Sequence, residues 1–272
     1  MPKAVERLIV IAMIFSAGAG AQVRWRLAWN DEFDGPAGTP PDPAKWAYDL
    51  GADGWGNGEL ETYTNSLENV QQDGQGNLVI HVVNSGGGNY TSARIKSQGL
   101  FSFTYGKVEA RIKIPRGQGI WPAFWMLGAN IASVDWPQCG EIDIMENIGK
   151  EPSIVHGTAH GPGYSDADGL GAPYRLPSGE FADAFHVYAV VWTRDRIQFL
   201  VDDNPYFAVT PADIPPGDAW VFRSPFFLLL NVAVGGPESW PGAPDASTPF
   251  PQDMLVDYVR VYQQVPRRLH RQ

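Results

Sequence analysis

The chain has 272 residues, 30 of them acidic and 20 basic, for a formal charge of −10, which argues against nucleic acid and against sulfated or uronic polysaccharides as partners. Its single cysteine, Cys139, rules out an internal disulfide, so core packing alone must hold the fold. The length suits one large domain of strands, and 30 glycines and 23 prolines are spread as turn punctuation rather than gathered in a linker.

The first 21 residues read as a leader. Lys3 and Arg7 give a positive start, residues 8–15 are an unbroken apolar run, and Ala19-Gly20-Ala21 is a small-residue cleavage site. This predicts a secretory signal peptide over 1–21 and a mature domain over 22–272, secreted to an extracellular or periplasmic space. The apolar run is too short for a membrane span, which needs ~20 residues, and no later segment is a candidate. Cleavage removes Lys3, Glu6 and Arg7 and leaves the mature chain one charge more negative.

Residues 49–63 read as a long loop, with Gly51, Gly54, Gly56 and Gly58 around Trp55 and Asn57. Loops of this length are mostly functional or disordered, and the aromatic residues favour an ordered rim. Apolar or alternating runs at 78–83, 106–114, 185–192, 197–201, 226–234 and 254–262 predict strands. Residues 226–230 are apolar on both faces and should form a central strand. Asp195-Arg196 and Asp203-Asn204 are expected to be tight hairpin turns. There is no internal repeat and no long amphipathic helix, the pattern of an all-β sandwich. Trp46 and Trp192 are expected in the core, as is Cys139, and the basic tail at 267–271 is expected to be solvated.

The most informative stretch is Gly140-Glu141-Ile142-Asp143-Ile144-Met145-Glu146-Asn147. On a strand, Glu141 and Asp143 share one face and Ile142 and Ile144 the other. Strict alternation would turn Glu146 toward the isoleucines. One extra residue near Met145, a β-bulge, would return it beside the other two acids. Glu141 and Glu146 would then stand about 13 Å apart at Cα, at ~3.3 Å per residue, close enough for inclined side chains to bring the carboxyls within about 5–6 Å. Retaining glycosidases use ~5–5.5 Å and inverting ones ~6.5–9.5 Å. The alternative is an ordinary half-buried strand with an acidic outer face.

The flanking residues decide between these readings. Upstream stands Gly119-Ile120-Trp121-Pro122-Ala123-Phe124-Trp125-Met126-Leu127, then Trp136. Downstream come His156-Gly157-Thr158-Ala159-His160-Gly161, Asn231-Val232-Ala233-Val234-Gly235-Gly236 and Trp240-Pro241-Gly242. With Trp29-Asn30-Asp31-Glu32-Phe33-Asp34 and Val256-Asp257-Tyr258-Val259-Arg260-Val261-Tyr262 at the ends, this pattern resembles glycoside hydrolase family 16, and within it the bacterial laminarinases, endo-1,3-β-glucanases. The acid spacing resembles the bulged form of the family motif, whereas the lichenase branch has one residue fewer before the second Glu.

The resemblance implies a β-jelly-roll sandwich of two curved antiparallel sheets, with the glycan cleft across the concave one. It implies Glu141 as nucleophile, Glu146 as general acid/base, and Asp143 hydrogen bonded to Glu141. Aromatic planes cover the C–H faces of sugars, which makes Trp121, Trp125 and Trp136 platforms, with Trp240 on the leaving-group side. Any of the first three could instead be core. Asn57, Arg94 and His160 are the expected polar contacts, with His156 as an alternative to His160. Catalysis needs no cofactor. The family pattern implies a structural calcium ion held by Glu32, a backbone oxygen at Gly76, and Asp257. The expected partner is a neutral β-glucan, bound by a monomer and cut internally at β-1,3 linkages. A mixed-linkage 1,3-1,4-β-glucanase and a non-catalytic glucan-binding protein are the alternatives. The three acids argue against the latter.

Overall fold

The computed structural model describes residues 24–265, so the leader at 1–21 and the basic tail at 267–271 lie outside the described residues. Its strands, in chain order, are β1 (Trp25–Asp31), β2 (Ala47–Asp49), β3 (Glu61–Tyr63), β4 (Val70–Gln72), β5 (Leu78–Asn84), β6 (Tyr90–Ser92), β7 (Arg94–Lys96), β8 (Gly106–Lys113) and β9 (Ile120–Gly128). There follow β10 (Glu141–Glu146), β11 (Ile154–His160), β12 (Leu170–Arg175), β13 (His186–Thr193), β14 (Arg196–Val201), β15 (Asn204–Val209), β16 (Phe226–Val234) and β17 (Gln252–Gln264). The α-helix α1 (Ile131–Val134) has a single turn. Among the described residues no helix is long and apolar enough to cross a membrane.

The strands form two sheets. The larger runs β15-β14-β13-β8-β17-β5-β6-β3, with β1 beside β17 and β4 beside β5. The smaller runs β12-β11-β10-β9-β16-β7-β2. Between them lies one core, to which Ile80, Val108, Ile112 and Val190 contribute from the larger sheet and Ile95, Phe124, Met126, Leu228 and Leu230 from the smaller. Trp46 and Trp192 are fully buried, as expected. The run 226–234 is buried at all nine positions and pairs with β9 on one side and β7 on the other, so it is central.

Three expectations need correction. The sheets are not wholly antiparallel, because β3 and β6 pair in parallel over three residues. Each hairpin turn sits one residue earlier than expected, at Arg194-Asp195 and Asp202-Asp203. At the second, both residues have positive φ (49° and 61°), the backbone of a type I′ turn, which aspartate tolerates. The loop at 49–63 is shorter than read, since Asp49 ends β2 and residues 61–63 form β3.

Two loops cross just beyond the end of β10. Gly149 N–H donates to the Ile120 carbonyl at 2.9 Å, and a Cβ on Gly149 would overlap the backbone of Gly117. The obstacle is backbone on both sides, so neither can yield. Gly149→Ala is expected to destabilise the fold by roughly 3 kcal/mol, as overpacking does, and thermal melting of the variant checks this.

Candidate functional site

β10 divides its side chains as the motif requires. Ile142, Ile144 and Met145 enter the core, while Glu141, Asp143 and Glu146 line a cleft on the outer face of the smaller sheet. The extra residue is visible in the pairing. Asp143 is opposite Trp125 and Met145 opposite Phe124, so Ile144 has no partner on β9. Against β11 the register also shifts between Asp143 and Glu146. The bulge thus lets two successive residues face inward and brings Glu146 back to the side of Glu141.

In-register pairing lays the cleft floor out in rows across the strands. One row holds Asp49, Arg94, Asn231, Ala123, Glu146 and His156. The next, two residues along, holds Lys96, Leu229, Trp125, Asp143 and Thr158. A third holds Phe227, Leu127, Glu141 and His160. Ala123, the smallest side chain of its row, leaves space between Asn231 and Glu146. The cleft encloses about 780 Å³, within the range of small-ligand sites.

The electrostatics follow from crowding in a partly dry groove. Burial pushes Glu141 up to about 8; the Asp143 charge adds to the rise and His160 opposes it. Burial raises Asp143 to about 7. Glu146 is held well above the ordinary carboxylate range, by burial first and then by the Asp143 charge. Like charges so close cannot all ionise, so the cluster shares protons near neutrality. Trp121 Nε1 donates to Glu146 Oε1 at 3.0 Å. His160 Nε2 stands 3.0 Å from Asp143 Oδ2, without the alignment of a formed hydrogen bond. Ligand atoms of Glu141, Asp143 and His160 fall within 4.8 Å of one another, which makes them the one group of three such side chains within reach of a metal ion among the described residues. The chemistry they offer directly is proton transfer and nucleophilic attack.

The other expected residues fall as follows. Trp121, Trp125, Trp136, Trp240, Asn57, Arg94 and His160 all line the same cleft. Trp121 and Trp240 meet edge to face at 5.7 Å, and His156 packs on Trp240 at 4.9 Å. His156 also lines the cleft, so both histidines belong to it; His156 pairs with Glu151 at 3.1 Å rather than with the acids. The Arg94 guanidinium lies between Trp55 and Trp125, 5.0 Å and 4.7 Å from their centroids, with its Nε 2.9 Å from Asp49. Sequence reasoning missed Glu59, Thr158 and Asn231 as lining residues and gave Trp55 no contact role. Asn231 had a signal, being the lone polar side chain in the apolar run of β16.

The residues expected to hold calcium are arranged otherwise. Glu32 accepts hydrogen bonds from Arg260 Nε at 2.9 Å and Nη2 at 2.7 Å, and another from Asn30 at 2.9 Å. Asp257 accepts one from Arg111 at 2.6 Å. Each carboxylate already has a guanidinium as counter-ion, which does not fit a divalent cation between them.

Comparison with known proteins agrees with this geometry. The family model described as glycosyl hydrolases family 16 matches residues 58–260. A beta-glucanase of Rhodothermus marinus is 42% identical over 273 residues, covering 95% of this chain and 92% of that protein. A glucan endo-1,3-beta-glucosidase A1 of Niallia circulans is 39% identical; the match covers 88% of this chain but 38% of that longer protein. The X-ray structure of an endo-beta-1,3-glucanase from Pyrococcus furiosus superposes with a TM-score of 0.83 at 47% identity, covering 90% of this chain and 97% of that one.

The raised carboxyls carry a stability consequence. A carboxyl with a folded pKa near 8 and an unfolded one near 4.5 binds more protons in the folded state between those values. Its contribution is fully present below about pH 4.5 and is lost as pH rises through about 8. Glu61, raised by burial to about 9, acts in the same direction elsewhere in the fold. Replacing Glu141 by Gln removes only the Glu141 share. Glu141→Gln should therefore melt close to wild type near pH 4 and higher than wild type near pH 9, by roughly 2–4 °C for each kcal/mol of relieved strain. Melting curves across that range check this.

Proposed function

The chain belongs to glycosyl hydrolases family 16 and hydrolyses β-1,3-glucan internally, and we propose that it does so by double displacement with retention, with Glu141 as nucleophile and Glu146 as general acid and base. The observation that carries this reading is the bulge, which sets both glutamates on the cleft face of one strand. In the first step Glu146 gives its proton to the leaving glycosidic oxygen while a Glu141 oxygen attacks the anomeric carbon. The C–O bond to the leaving sugar breaks and a glycosyl ester on Glu141 forms. In the second step Glu146, now a carboxylate, takes a proton from water. The water oxygen attacks the anomeric carbon and Glu141 departs as a carboxylate. Two inversions give net retention.

The roles follow from the environments. Burial and the Asp143 charge hold Glu146 well above the ordinary carboxylate range, which suits a group that must arrive protonated. Glu141 must arrive ionised. Burial puts Glu141 at about 8 and Asp143 at about 7, so the cluster shares its protons near neutrality, and the form that carries the charge on Glu141 is the one that attacks. The Trp121 N–H on Glu146 fixes that carboxyl in place through both steps. Trp121, Trp136 and Trp240 supply faces for sugar rings on either side of the acids.

Glu141→Gln and Glu146→Gln should each abolish nearly all turnover while leaving folding and glucan affinity intact, measured by laminarin hydrolysis and by binding. Azide should rescue Glu141→Ala to give an inverted glycosyl azide and Glu146→Ala to give the retained one. A variant at either position that keeps a large share of turnover overturns the assignment.

Proton NMR of a fresh laminarin digest should show the β-anomer first, and the early products should be a ladder of oligosaccharides. An initial α-anomer refutes retention. Much faster cleavage of lichenan than of laminarin would assign the chain to mixed-linkage glucan, with the same residues in the same roles.

A further inference from the structure

The loop joining β2 to β3 brings Trp55 and Asn57 to the rim of the cleft, over the end of the floor farthest from β12. Its tip carries glycines at 54, 56 and 58, all with positive φ, so the loop's own chain gives it little stiffness. A line of side-chain hydrogen bonds ties it to the floor. Trp125 Nε1 donates to Asn231 Oδ1 at 2.8 Å, and Asn231 Nδ2 donates to the Tyr63 hydroxyl oxygen at 3.0 Å. Tyr63 O–H donates to Glu59 Oε2 at 3.1 Å, and Asn57 Nδ2 donates to Glu59 Oε1 at 2.9 Å.

The direction of this line is forced. An indole nitrogen only donates, so the Asn231 carbonyl must face Trp125 and its amide must face Tyr63. The Tyr63 oxygen then accepts, and its proton must go on to Glu59. Both strands of the line end on the two oxygens of one carboxylate, where charge-assisted bonds are strongest. Within such a chain each bond polarises the next. Trp125, Asn231, Glu59 and Asn57 all line the cleft, while Tyr63 is 1% exposed and does not. The side-chain hydrogen-bond line between Trp125 and Asn57 thus passes through a hydroxyl that no sugar reaches, beside the Arg94 stack on Trp55 and the bonds of Leu60 to Val234 and of Ser239 to the Asn57 and Gly58 carbonyls.

We propose that Tyr63 is a positioning residue for glucan binding, whose hydroxyl locks the Trp125 floor and the Asn57 rim into one preformed surface for sugar units remote from the bond being cut. Arg94, stacked between Trp55 and Trp125, belongs to that surface. It lies on β7, three strand spacings from β10, or ~14 Å at ~4.8 Å each. Glucan units bound there contribute equally before and in the transition state, so loosening the surface should raise KM and leave kcat alone.

The test is Tyr63→Phe, which keeps the ring and removes only the hydroxyl, alongside Glu59→Gln and the double variant. Steady-state kinetics on laminari-oligosaccharides of increasing length are read together with thermal melting, and wild-type turnover of laminarin controls for the substrate reading itself. Tyr63→Phe should raise KM about tenfold on the longest oligosaccharides, where two hydrogen bonds are lost, keep kcat within twofold, and leave the shortest cleaved oligosaccharide unaffected. The double variant should be no worse than the more impaired single one, because both cut the same line. The proposal is overturned if KM on long chains stays within twofold, if KM rises equally at every length, or if kcat falls in step. A lower melting temperature with unchanged KM would assign Tyr63 to packing alone and overturn it equally.

Discussion

Crowding three carboxyls onto one face of one strand is the constraint around which the smaller sheet is organised. Each loses hydration in the groove, and each raises the cost of ionising the next. A strand bearing that load at a sheet edge would pull away. β10 is instead flanked by β9 and β11, and β9 is backed by β16, which is buried along its whole length. The opposite face of β10 puts Ile142, Ile144 and Met145 into the core, so apolar burial offsets the repulsion on the other side. The polar neighbours are few and specific, Trp121 donating to Glu146 and His160 standing against Asp143. They leave the cluster rich in protons and poor in counter-charge, the condition for one acid and one base from chemically identical side chains.

The sequence made the acid face legible because strand period and motif spacing disagree by one residue, and only a bulge reconciles them. Central strands were legible for a similar reason, since 226–234 has no polar face to offer solvent except at Asn231. Strand order was not. β16 lies between β9 and β7, far away in the chain, and no local pattern encodes such a pairing. The displaced turn at Asp202-Asp203 shows a finer limit: Asp202, Asp203 and Asn204 are all good turn residues, and strand register rather than residue type selected two of them. Glu32 and Asp257 fitted a calcium pattern in one dimension. The arginines that engage them are paired across strands, Arg260 of the second motif with Glu32 of the first and Arg111 of β8 with Asp257, and no local spacing encodes those partners.

A second, smaller apolar cluster explains Cys139. Leu127, Phe227 and Leu229 on the outer face of the sheet pack with Cys139, and Trp125, Ile131 and Trp136 lean against them. The segment after β9, with its single helical turn, therefore folds back over the floor at the Glu141 end. Burial pushes the Cys139 thiol up to about 11, with the Glu141 charge adding to the rise. It stays protonated and unreactive, a packing group at the wall of a catalytic groove.

Floor and core are opposite faces of the same strands, and this fixes how chain length can vary without loss of function. Inserting one residue within β9 or β16 would turn the side chains beyond it over, sending tryptophans into the core and core residues into the cleft. Both strands pair with each other in unbroken register over nine residues, with no bulge to absorb the change. β10 has already absorbed such an insertion between Asp143 and Met145, with Glu146 recovered beyond it. Divergence in length among related chains should accordingly collect at that one position and in the loops, while the neighbouring strands keep their count.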